Sequence, residues 1–140
     1  MLGISAFEYC SGLKTYLKIP DSVTFIGKGA FVYSGVTSVW IGKGVEVLQR
    51  SAFEGCANLT SVTLPDSIVT FETNVFYNCE NLERIYFENT EEVWQSVGYE
   101  ANNGYLSNVE KCYYSVYEPL SSADGRYWKY DENDNIVLWN

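Results

Sequence analysis

Apolar residues along the first two thirds of the chain fall on a fixed skeleton. In Ala52–Phe71 an Ala-Phe pair leads to Cys56, Leu59, Val62, Leu64 and Pro65, then to Ile68 and Phe71. The same order recurs upstream, from Ala30-Phe31 through Ser34, Val36, Val39, Ile41, Val45 and Leu48, with Gly42 in the proline place. It recurs again from Ala6-Phe7 through Cys10, Leu13, Leu17, Ile19, Pro20, Val23 and Ile26, and downstream from Val75-Phe76 through Cys79, Leu82, Ile85 and Phe87. The phenylalanines Phe7, Phe31, Phe53 and Phe76 are 24, 22 and 23 residues apart. Coincidence of several apolar positions at one such period marks a solenoid.

Each unit carries its own elements. The Val62/Leu64 pair with Thr63 between them has the period of a strand, so Thr63 points away from the core. Pro65-Asp66-Ser67 turns the chain, Ile68–Phe71 opens a second short extended segment, and Thr73–Asn81 has the length of a turn or one helical coil. No unit closes a core alone. Stacking does so, by laying each Phe, Leu and Val on the next at about the 4.8 Å strand spacing.

The signature Ala-Phe-x-x-Cys-x-x-Leu-x-x-Val-x-Leu-Pro-x-Ser-Ile/Val-x-x-Ile/Phe, running from Ile4 to Phe87, resembles the BspA-like (treponemal-type) leucine-rich repeat. The tail, with Glu92-Val93-Trp94, Cys112-Tyr113-Tyr114-Ser115, Pro119 and Tyr127-Trp128-Lys129-Tyr130, resembles the segment on the carboxyl side of such repeats in bacterial surface proteins. The resemblance implies a leucine-rich repeat fold over residues 1–87 and a capping region over 88–140. It also implies a secreted or cell-surface bacterial protein that adheres to host or bacterial surface proteins or matrix, without a cofactor or a reaction.

With 140 residues and 46% hydrophobic content the chain suffices for one domain with a real core. Its net charge of −9 makes nucleic acid or an anionic membrane a poor partner. No apolar run is long enough to span a bilayer and no basic leader opens the chain. Met1 is followed at once by Leu2-Gly3-Ile4, inside the pattern, as expected of a segment of a longer secreted protein. The edge around Ile4, Phe7 and Leu17 is then expected to be apolar and to favour end-to-end association.

Cys10, Cys56 and Cys79 share one repeat position, with Ser34 as the fourth member, so they form a ladder without metal-ligand spacing. Two readings stand: a Cys56–Cys79 disulfide, which adjacent turns permit, or a reduced, buried ladder filling a small site. Cys10 and Cys56 lie two turns apart, at roughly 10 Å, too far to bridge.

Outward positions of the first strand place Lys18, Trp40, Thr63 and Tyr86 in a row, flanked by Ser38, Ser61 and Arg84. Trp, Tyr and Arg together have the composition of an interface hot spot, although Thr, Tyr and Trp also suit any pleated surface. On the second segment Phe25, Val47 and Thr70 make the corresponding row, with Phe25 and Val47 a small apolar patch.

Beyond Phe87 the period is lost. Glu88–Glu92 reads as a solvated acidic turn, Val93–Val97 as a helical turn packing Val93, Trp94 and Val97 on the last repeat, and Asn102-Asn103-Gly104 as a turn. Val109–Val116 reads as a strand, and Arg126–Tyr130 with Ile136–Trp139 as a hairpin that covers the end of the array. The tail aromatics Tyr113, Tyr117, Tyr127, Trp128, Tyr130 and Trp139 are candidates for a sugar platform, and equally for capping core. Asp131–Asn135 opens like a calcium loop but lacks its glycine and distal glutamate, which reads better as an Asp/Asn turn. Asn58-Leu59-Thr60 is a glycosylation triplet whose Leu59 belongs to the core pattern.

Chemistry finds little purchase. The chain has no histidine, so a Ser or Cys nucleophile lacks its usual base, and the ladder thiols sit where a thiolate is disfavoured. Gly27-Lys28-Gly29 and Gly42-Lys43-Gly44 are one repeat turn seen twice, not a phosphate loop. A recognition module, a carbohydrate-binding tail and a structural spacer remain.

Overall fold

The computed structural model describes residues 1–117, 119 and 126–139. In chain order it contains β1 (Tyr16–Ile19), β2 (Ser38–Ile41), β3 (Val47–Leu48), β4 (Ser61–Leu64), β5 (Thr70–Phe71) and β6 (Arg84–Phe87). Next come the short helix α1 (Glu91–Trp94), β7 (Gly98–Tyr99), a 3-10 turn (Gly104–Asn108), β8 (Glu110–Tyr114), β9 (Tyr127–Tyr130) and β10 (Ile136–Leu138). The chain is a β-solenoid. One face is a seven-stranded sheet ordered β1-β2-β4-β6-β8-β9-β10, and a second is the three-stranded sheet β3-β5-β7.

Strand alternation sorts the residues as the period requires. Leu17, Val39, Val62 and Ile85 are in register and point inward, as do Ile19, Ile41, Leu64 and Phe87. The strands from β1 to β9 pair in parallel, because each returns to its sheet after a full turn; among the described residues only β9 and β10 are antiparallel.

A third face has no regular secondary structure but is as ordered as the sheets. Every second backbone N–H donates to the next turn: Gly29, Phe31 and Tyr33 to the carbonyls of Arg50, Ala52 and Glu54, then Ser51, Phe53 and Gly55 to those of Thr73, Val75 and Tyr77. Aiming three N–H groups the same way requires two left-handed residues per turn, four apart, here Ser5/Tyr9, Gly29/Tyr33, Ser51/Gly55 and Asn74/Asn78. Thr73–Asn81 belongs to this face.

Behind it the phenylalanines stack. Ring centroids of Phe7–Phe31, Phe31–Phe53 and Phe53–Phe76 are 5.1, 5.1 and 5.5 Å apart and nearly parallel, and Phe71 closes the stack edge-on at 6.1 Å from Phe76. Beside them runs the cysteine position. Cys56 and Cys79 are thiols. Each donates to the phenylalanine carbonyl of the preceding turn, Phe31 at 3.1 Å and Phe53 at 3.0 Å. Since Cys56 has one proton, the Ser34 hydroxyl is the donor in its 3.4 Å contact with the Cys56 sulfur. Contact with Cys56 and burial push the Cys79 thiol far above its ordinary value. Cys10 is exposed, and at the β1 end Phe7 is 37% and Ile4 72% accessible.

The sheets run on past Phe87, where the sequence period stops. β8 pairs with β6 in full register and β7 with β5. The helical turn starts two residues earlier than read, within the acidic run, because Thr90 caps α1; Trp94 packs edge-on against Phe87 at 5.2 Å and Phe71 at 6.1 Å. Asn103 ends the third face, its side chain accepting from Val75 N–H at 3.2 Å and donating to the Glu72 carbonyl at 2.7 Å. Lys111 stands beside Ile85 in register, half-buried, with its ammonium donating to the Leu106 carbonyl. Burial lowers its pKa.

Candidate functional site

The outward row of the large sheet is brought together. Trp40, Thr63 and Tyr86 are cross-strand neighbours by register, and Lys18 lies opposite Trp40 with its ammonium 4.5 Å from the indole centroid. Thr63, between two aromatic neighbours, is only 4% accessible. Arg84 flanks the row: its Nε pairs with Glu110 at 2.6 Å and its guanidinium also meets the Tyr86 hydroxyl.

What the sequence did not disclose is where the hairpin goes. β9 joins β8 through two residue pairs, Tyr113–Tyr127 and Tyr114–Trp128, and runs on past the end of β8. Tyr130 and Trp40 stand on strands four steps apart, about 19 Å along a flat sheet at roughly 4.8 Å per step. Yet the Trp40 indole N–H donates to the Tyr130 hydroxyl at 3.0 Å. The sheet therefore curves and the hairpin leans back over its outward face.

Three contacts hold it there. Trp128 is fully buried, its indole N–H shared between the carbonyls of Phe87 at 3.2 Å and Cys112 at 3.0 Å. Its ring meets Tyr114 at 5.1 Å, Tyr130 at 4.9 Å and Tyr86 at 5.9 Å, all edge-to-face. The Tyr130 hydroxyl, which accepts from Trp40, donates to Glu88 Oε1. Glu88 is therefore not the solvated turn residue its acidic neighbours suggested. It is half-buried, burial raises its pKa, and its second oxygen, Oε2, is buried without a hydrogen-bond partner.

Between hairpin and sheet lies a groove of about 890 Å³. Its floor carries Tyr16, Lys18, Ser38, Trp40, Ser61, Thr63 and Tyr86, and its wall Glu88, Tyr130 and the hairpin turn Asn133–Ile136. The Asp131 carboxylate is turned onto its own loop, in keeping with the Asp/Asn turn: it accepts from the Asn133 and Asn135 N–H groups at 2.8 and 2.9 Å, which lowers its pKa. The tail aromatics make no flat shelf either, since Trp128 is buried and Trp139 donates to the Ser115 carbonyl with the Lys129 ammonium 3.7 Å from its ring. On the second face Phe25 is exposed and Val47 half-buried.

A solenoid with one short parallel strand per turn and a Leu/Val/Ile core behind it is the architecture of a leucine-rich repeat protein. The chain belongs to the family described as the BspA type leucine rich repeat region (6 copies), whose model matches residues 1–112. The match extends past Phe87 into β8. Among solved structures, the chain is similar to a leucine rich cell surface protein from Faecalibacterium prausnitzii A2-165, with 24% identity and a TM-score of 0.50. That alignment covers 69% of this chain and 31% of the other, so the chain spans about a third of its structural neighbour. Among curated proteins none matches.

Proposed function

We propose that the chain is a non-catalytic recognition module that serves adhesion at a bacterial cell surface, and that its partner is held in the groove between the large sheet and the hairpin. The observation that carries this reading is the groove itself: a row of outward residues, one set per turn, walled by the chain's own tail. Solenoids position such rows rigidly, so side chains enter binding already ordered and little entropy is lost on contact. The cell-surface description of the structural neighbour and the repeat family support the setting.

The first partners to screen are surface and matrix proteins and mucins, immobilised, against the purified chain. Ser61→Trp fills the groove floor from a half-buried outward position. Binding by the wild type that is lost in Ser61→Trp and kept in Tyr9→Ala, on the opposite face, is the expected result. Binding that survives Ser61→Trp moves the site off the groove.

A further inference from the structure

The lining of the groove narrows the partner. Of its fifteen lining residues only Val39 and Ile136 lack a side-chain hydrogen-bonding group, and Val39 is buried. Trp and Tyr are shared with protein hot spots, where Ser and Thr are scarce, so what distinguishes this groove is what lies between the rings. Here aromatic rings alternate with hydroxyls, amides and charges of both signs, and the charges cancel: Lys18 and Lys43 against Glu88 and Asp134.

Two further features point to a ligand rich in hydroxyl groups. The exposed side chains of Lys18, Lys43, Asn133 and Asn135 line the groove with donors and acceptors. The Ser38 and Ser61 hydroxyls, adjacent in register on the floor, make no hydrogen bond among the described residues. Acceptors and two-way hydroxyl groups set around ring edges match a pyranose, which offers hydroxyls around its rim and C–H groups on its faces. The rings are also fixed in advance, Trp40 by Tyr130 and Tyr86 by Trp128. The volume lies in the ~300–1,000 Å³ range of clefts that enclose small ligands.

We propose, resting on the recognition reading above, that the groove is a saccharide site taking a short, uncharged oligosaccharide, with Ser38 and Ser61 bonding the face laid on the sheet and Asn133 and Asn135 meeting its rim from the hairpin turn. This places sugar recognition on the repeat face and not on the tail aromatics.

The test is an array of neutral, sialylated and uronate-bearing glycans, with matrix proteins probed before and after enzymatic removal of their sugars. The full chain is compared with Ser38→Ala/Ser61→Ala, Ser61→Trp and Tyr117→Ala, each checked for fold by circular dichroism. The expected result is binding to a set of neutral glycans, weakened at least tenfold in Ser38→Ala/Ser61→Ala, abolished in Ser61→Trp and unchanged in Tyr117→Ala. Loss of binding in Tyr117→Ala, retention in Ser61→Trp, or preference for acidic glycans overturns it. Binding to sugar-free protein that Ser61→Trp abolishes, with every glycan blank, overturns the saccharide while leaving the groove as the site. Blank results for all probes with a folded chain overturn both.

Discussion

Gly55 is the residue at which backbone and side-chain demands of the repeat meet. Its φ is +70°, and a Cβ there would lie 2.3 Å from Cε1 of Tyr33, whose ring stacks on Tyr9 at 5.4 Å. Gly55→Ala is expected to lower stability by about 1–2 kcal/mol for the left-handed backbone alone, with more for displacing the ring. Urea melts of Gly55→Ala, Tyr33→Ala and the double variant separate the two, since the cycle subtracts the lost Tyr33 stack and leaves the clash. The ladder position makes a different demand, for a small donor. Cys56→Ser keeps a proton for the Phe31 carbonyl and is expected to cost less than Cys56→Val, which strands that carbonyl and the Ser34 hydroxyl at roughly 1–3 kcal/mol for an unmet buried group. The interchange of Ser34 with Cys56 and Cys79 was readable in the sequence as a shared position. That the position exists to reach a carbonyl was not, because the acceptor is main chain and leaves no letter.

At the scale of elements, the strands β2, β4 and β6 and the hairpin come from period and turn residues, and the α1 turn from Val93, Trp94 and Val97. Two features could not be read that way. The fifth turn hides because Lys111 stands where an aliphatic residue would continue the pattern, and because the Asn103 side chain replaces backbone ladder bonds. The lean of the hairpin hides because it rests on Tyr130 and Trp128 reaching across strands, and alternation tells which face a residue takes but not what lies above it. Tyr130→Phe removes the link from Trp40 to Glu88 and leaves both short of a partner. The expected outcome is faster hydrogen exchange in β10 with little change in β4.

Glu88 gives the hairpin a pH dependence with a definite sign. Its folded pKa is raised above the ordinary carboxylate range, chiefly by burial, so within that window the folded chain holds a proton that the unfolded chain has lost. Its contribution to stability is greatest below the window and falls as pH rises through it, the reverse of an ion-paired carboxylate. Melting temperatures of wild type and Glu88→Gln are expected to diverge in favour of the variant as pH rises through the window, and then to run parallel. A constant difference across the range would remove Glu88 as the titrating group.

For the whole molecule, stability is set by stacking along one axis. Phe53 is fully buried between two rings, whereas Phe7 has a ring on one side only. Phe53→Ala is expected to cost about 3–5 kcal/mol and Phe7→Ala distinctly less, measured by urea denaturation; equal losses would mean that the turns do not share load as a stack.

The bond between Trp40 and Tyr130 turns the number of turns into a measured length. Three strands, β4, β6 and β8, lie between β2 and β9. A duplicated unit inserted among them would carry Trp40 about 4.8 Å further from the hairpin, beyond the reach of that hydroxyl, and a deleted one would drive the two together. Units ahead of β2 sit outside this span. Gain or loss of a unit is then expected to break the Trp40–Tyr130 bond only when it falls between β2 and β9, and to leave it intact on the amino-terminal side of Trp40.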